Sequence, residues 1–68
     1  MIKETTEWIQ SNYKMLQDKY PNQYIAVFYD RVLAASKDAK EVEEAAKKLS
    51  KDFLVEYILP GDLFFCTN

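Results

Sequence analysis

The segment Tyr20-Pro21-Asn22-Gln23-Tyr24-Ile25-Ala26-Val27-Phe28-Tyr29 decides how this chain folds. Pro21 ends any helix that precedes it, because its ring pushes Tyr20 away from helical dihedrals. Pro21-Asn22 then turns the chain. The run from Gln23 to Tyr29 is β-branched and aromatic, with six of its seven residues apolar, and reads as a strand. Both of its faces are apolar, so it belongs in the middle of a sheet or under cover on both sides.

On the N-terminal side of this segment, Ile9, Tyr13, Leu16 and Tyr20 fall on one helical stripe, with Trp8 and Met15 beside it. The spacing predicts one helix over Thr6–Lys19. Thr5 or Thr6 would cap it, and Glu7 would sit in the first turn, where the helix dipole favours an anion.

On the C-terminal side, Asp30-Arg31 makes a tight connection into a second strand, Val32–Ala35, without the usual Asn-Gly or Asp-Gly signal. Asp38-Ala39-Lys40-Glu41 fits a capping box, with Asp38 accepting from the Glu41 amide and Glu41 reaching back. Val42, Ala45, Ala46 and Leu49 give the helix that follows a narrow apolar stripe, carrying it to about Ser50. Glu43 with Lys47 and Glu44 with Lys48 are i,i+4 pairs in the favourable order. Phe53–Leu59 reads as a third strand and Pro60-Gly61-Asp62 as a turn. Leu63-Phe64-Phe65-Cys66 would be a short fourth strand or a tail laid across the core.

The expectation is a single small α+β domain over residues 1–68 in the order α-β-β-α-β. Its sheet would be mostly antiparallel, three- to four-stranded and ordered 2-1-3, with two helices on one face. A crossover through the second helix would be right-handed if strand three runs parallel to strand two.

Composition narrows the function. Among 68 residues there is no histidine, one cysteine (Cys66) and one glycine (Gly61). Histidine-based triads, common zinc sites and glycine-rich phosphate loops are excluded, so no enzyme activity, cofactor or metal is expected. Nothing in the sequence supplies a base to activate Cys66. Eleven acids against nine basic residues leave a net charge of −2, which argues against non-specific binding to nucleic acid or to a membrane. The N-terminus has no apolar signal-peptide core, and a free thiol suits the cytoplasm. Ordering a chain this short costs about 1.5 kcal/mol per residue, and small domains often add disulfides, metal or a partner. With one cysteine and no histidine, dense packing and oligomerisation remain, and ten aromatic residues serve both.

Two helices on one face of the sheet would leave the other bare. A carboxylate is costly to bury, so the Glu56 side of the third strand should face outward. With Ile25 and Val27 beneath the helices, the expected bare surface is Tyr24, Phe28, Leu54, Glu56 and Ile58. Three occupants compete for it: the chain's own Leu63–Phe65 segment, a protein partner or second copy (a homodimer), and stacked nucleic-acid bases. The leading functional expectation is a non-enzymatic protein-interaction or self-association module. The alternative is a nucleic-acid-associated or antitoxin-like regulator, although the basic residues are interleaved with acids. The charged groups Asp30-Arg31 and Lys37, Lys47, Lys48 and Lys51 read as a solvated turn and a solvated helix face.

Trp8, Asn12-Tyr13, Leu16, Tyr20-Pro21 and Tyr24-Ile25-Ala26-Val27 form the pattern W-x3-NY-x2-L-x3-YP-x2-YIAV. With Val32, Ser36-Lys37-Asp38 and the Phe53–Ile58 strand, it resembles a family of small uncharacterised prokaryotic domains, a domain of unknown function. The resemblance covers nearly the whole chain and implies a cytoplasmic, stand-alone or adapter-like domain. That family often carries a glycine in the hairpin turn, and Tyr29-Asp30-Arg31 departs from it. The family brings no established activity, so it assigns no site residue.

Overall fold

A computed structural model describes residues 2–60. The elements run α1 (Ile2–Ser11), α2 (Tyr13–Lys19), β1 (Gln23–Phe28), β2 (Arg31–Ser36), α3 (Ala39–Lys47) and β3 (Leu54–Ile58). The sheet order is β2-β1-β3, as the apolar character of Gln23–Tyr29 predicted. β1 is antiparallel to both neighbours, so β2 and β3 run parallel to each other and α3 is the crossover between them. The expected fourth strand at Leu63–Cys66 lies outside the described residues.

The N-terminal helix differs from the single span predicted over Thr6–Lys19. It begins at Ile2 and breaks at Asn12, whose φ is −115°. The Asn12 side chain explains the break: its Nδ2 donates to the Trp8 carbonyl at 2.9 Å, onto which the Asn12 backbone N–H also converges at 3.0 Å. Thr5 does not cap. It lies inside α1, fully buried, and its Oγ1 accepts the backbone N–H of Tyr29 at 3.0 Å. Tyr20 leaves the helix with φ −129°, as a residue before proline should.

Two core clusters show which face each helix covers. Ile25, Val27 and Ile58 are buried with Ile9 of α1 and Leu16 of α2, and Trp8, Tyr13, Met15, Tyr20, Val32 and Leu54 pack around them. Ala26 is buried with Val42 and Ala46 of α3, flanked by Tyr24, Leu33, Ala34, Phe53 and Val55. Side chains alternate along a strand, so Ile25 and Val27 face one way and Ala26 the other. The helices therefore cover both faces of the sheet. The expectation of two helices on one face is corrected: two apolar stripes cannot say which side of the sheet each takes.

The capping of α3 is close to the expected box but rewired. Asp38 is the N-cap, yet its Oδ1 accepts from the Lys40 amide at 3.0 Å. Ser36 does the remaining bridging. Its Oγ accepts from the Asp38 amide at 3.2 Å and donates to Glu41 Oε1 at 2.9 Å. α3 ends at Lys47, and the amides of Leu49 and Ser50 both fold back onto the Ala46 carbonyl at 2.9 Å. Of the predicted stripe, Val42 and Ala46 are buried whereas Ala45 and Leu49 are exposed.

Candidate protein-interaction surface

The register divides the five residues expected to share one bare face. Leu54 pairs with Val27, Glu56 with Ile25 and Ile58 with Gln23, so these three lie on the side of α1 and α2. Ile58 is fully buried there and Leu54 packs against the same cluster. Tyr24 is on the α3 side and packs against that cluster. Phe28, by alternation with Ala26, also faces the α3 side, half-buried, with its ring 4.6 Å from that of Tyr29. The predicted continuous bare face is therefore not formed. Glu56 alone is exposed among the five. It lies on a covered face, but on an edge strand where solvent still reaches it.

The outer edge of β3 is the surface that the described residues leave open. The Ile58 carbonyl accepts from the Asn22 amide at 2.9 Å, so Ile58 points its backbone groups toward β1. Backbone groups alternate along a strand in an antiparallel ladder, so those of Val55 and Tyr57 point away from β1. No strand meets them among the described residues. The other edge, β2, is interrupted by a bulge: Ala26 pairs with Ala34 but Val27 with Val32, leaving Leu33 as the extra residue. Bulges and charges both blunt an edge against pairing. β3 pairs with β1 in unbroken register and has Glu56 as its one charged residue.

Tyr57 and Leu59 are exposed along this edge. Tyr57 is held in place. Its ring stands edge-on to Tyr24 at a centroid distance of 4.9 Å, and its hydroxyl donates to Asn22 Oδ1. Asn22 can turn toward it because its φ is 61°, in the left-handed region that asparagine tolerates. The end of the strand is fixed too, since the Leu59 amide donates to the Tyr13 hydroxyl at 3.1 Å.

Three further apolar side chains are exposed. Ile2, Tyr29 and Leu49 are 62%, 42% and 66% exposed. Leu49 thus falls outside the apolar stripe expected of α3, and Tyr29 lies in the turn beyond the end of β1. The clue to Tyr29 was the missing turn glycine: Tyr29 itself adopts φ 57°, the conformation that glycine would have supplied.

Among the described residues no cavity opens, no set of three or more metal-ligating side chains converges, and no helix is long and apolar enough to cross a membrane. No curated protein and no solved structure matches the chain. A family model does match, over residues 15–61, from within α2 to just beyond β3. That span is more than half of the chain and holds the whole sheet and α3, so the chain belongs to the Family of unknown function (DUF5678).

Proposed function

We propose that the chain is a non-enzymatic protein-interaction module that docks through the outer edge of β3. The observation that carries this reading is the edge itself. Val55 and Tyr57 present outward backbone groups, and beside them are the exposed side chains of Tyr57, held by Asn22, and of Leu59, whose backbone amide is held by Tyr13. An added strand gains affinity from main-chain hydrogen bonds and specificity from alternate side chains. Cytoplasmic residence, expected from the free thiol, is part of the same proposal.

The test is amide hydrogen exchange across a concentration series, read beside light scattering. Docking at this edge slows exchange at the Val55 and Tyr57 amides as the complex forms. Tyr57→Pro removes one outward N–H and spares the bonds to β1, so it should abolish association while the circular dichroism stays native. Association that leaves the exchange of both amides unchanged, or that survives Tyr57→Pro, defeats the reading.

A further inference from the structure

We infer that two copies of this chain can exchange α1 by straightening at Asn12, so that the α1 of each covers the sheet of the other. The inference goes beyond the edge reading and does not use β3. Its first support is the break itself. Asn12 has φ −115° and ψ 16°, far from helical values. The amides of Tyr13 and Met15 therefore make no helical bond to the carbonyls of Ile9 and Ser11. The ladder resumes around this gap, since the Asn12 amide donates to the Trp8 carbonyl and the Leu16 amide to the Asn12 carbonyl, both at 3.0 Å. In the bent form the Asn12 Nδ2 bond to the Trp8 carbonyl stands at the gap.

The second support is the sequence. Ile9, Tyr13, Leu16 and Tyr20 keep helical spacing straight through Asn12, and neither glycine nor proline stands between Ile2 and Tyr20. A straight helix over Ile2–Lys19 would make the bonds from Tyr13 and Met15 and keep this stripe on one side. The segment is thus compatible with two forms, one bent and one continuous.

Straightening alone would lift α1 from its own sheet. Thr5 would leave the Tyr29 amide, and Ile9 would leave Ile25 and Val27. The occupant that fits this footprint is α1 itself: a hydroxyl for the Tyr29 amide and, four residues on, an aliphatic side chain for the core cluster. A second copy supplies both in the same pose. Reciprocal exchange therefore remakes each lost contact and adds the helical bonds at both hinges, in a closed pair. Opening must first uncover Ile9, Ile25 and Val27, so native monomers exchange slowly and the pair forms where opening is frequent.

The test equilibrates the full chain, concentrated and dilute, in urea just below its unfolding midpoint. Both samples are returned to buffer and sized at one common dilution. A dimer should persist from the concentrated sample alone. When it is assembled from 15N-labelled and 13C-labelled copies, the Tyr29 amide of one should show a nuclear Overhauser effect to Thr5 of the other. Asn12→Ala removes the side-chain bond of the bent form and favours the helix at both hinges, so it should raise the association constant by about tenfold. Lys14→Pro, at an exposed position in the first turn of α2, sets its ring against the Gln10 carbonyl of a straight helix and should give a native-like monomer. If that variant does not fold, Asn12→Ala still decides. Equal size distributions from the two samples, a dimer without the Thr5–Tyr29 effect, or an Asn12→Ala that dimerises no better than the wild type overturns the exchange. A dimer that shows the effect while Val55 and Tyr57 stay unprotected keeps the exchange and defeats edge docking; protected amides without the effect do the reverse.

Discussion

Replacing Thr5 with valine should loosen the whole domain through one hydrogen bond. The threonine is fully buried, and its Oγ1 is 3.0 Å from the amide of Tyr29, 24 residues away. Valine keeps the shape and removes the acceptor. A buried donor left without a partner costs about 1–3 kcal/mol. The Tyr29 amide is only partly buried, which puts the loss in the lower half of that range, and the new methyl group returns a fraction by apolar burial. The expected loss is about 1.5 kcal/mol. For a domain of 60–100 residues, 1 kcal/mol moves the melting temperature by about 4–8 °C, so the drop should be about 6–12 °C. Urea denaturation gives the free energy, and hydrogen exchange gives the local signature. The Tyr29 amide should lose protection in Thr5→Val and keep it in Thr5→Ser, which retains the hydroxyl. If Thr5→Val matches the wild type within about 0.3 kcal/mol, with Tyr29 still protected, α1 is not fastened to the hairpin in this way.

Other positions separate the structure from simpler alternatives. Ala46→Leu should destabilise by about 1–3 kcal/mol by crowding Ala26, whereas Ala45→Leu on the exposed side should stay within about 0.5 kcal/mol; equal effects in thermal melts would place α3 the wrong way round. Ile58→Ala should cost about 2–5 kcal/mol, because the side chain is fully buried between β3 and the α1–α2 face, whereas Glu56→Gln should leave the denaturation midpoint unchanged. At Tyr29, a β-branched valine in the left-handed region should cost about 1–2 kcal/mol, and asparagine should come within about 1 kcal/mol of wild type despite losing the ring contact with Phe28. Asp38→Ala removes the side chain that caps α3 and should lower stability by about 1 kcal/mol in chemical denaturation.

The parts of this fold that were legible in the sequence depend on short-range physics. Pro21 stops α2, and the apolar run Gln23–Phe28 becomes the central strand, because each acts within a few residues. Asp38 caps α3 for the same reason. What the sequence hid is tertiary. A helical stripe predicts burial but not which face of a sheet receives it, so α3 could not be assigned to the side opposite α1. Periodicity carried the first helix straight through Asn12, whereas a single side-chain bond to Trp8 breaks it there. Thr5 looked like a cap because its partner is a turn amide far along the chain. The candidate surface suffered most. Glu56 correctly marked solvent, but solvent reaches it past the rim of the sheet and not across an open face.

The position of β3 also has a bearing on synthesis. β1 gains its β2 neighbour through a two-residue turn, but its other neighbour arrives only with Leu54–Ile58. A nascent chain that ends short of that point presents Gln23–Phe28, an uncharged and strongly β-forming segment, with one flank unpaired. Contacts that close a sheet late in the sequence slow folding and lengthen such exposure. Fragments truncated before residue 54 are therefore the forms of this protein most exposed to aggregation.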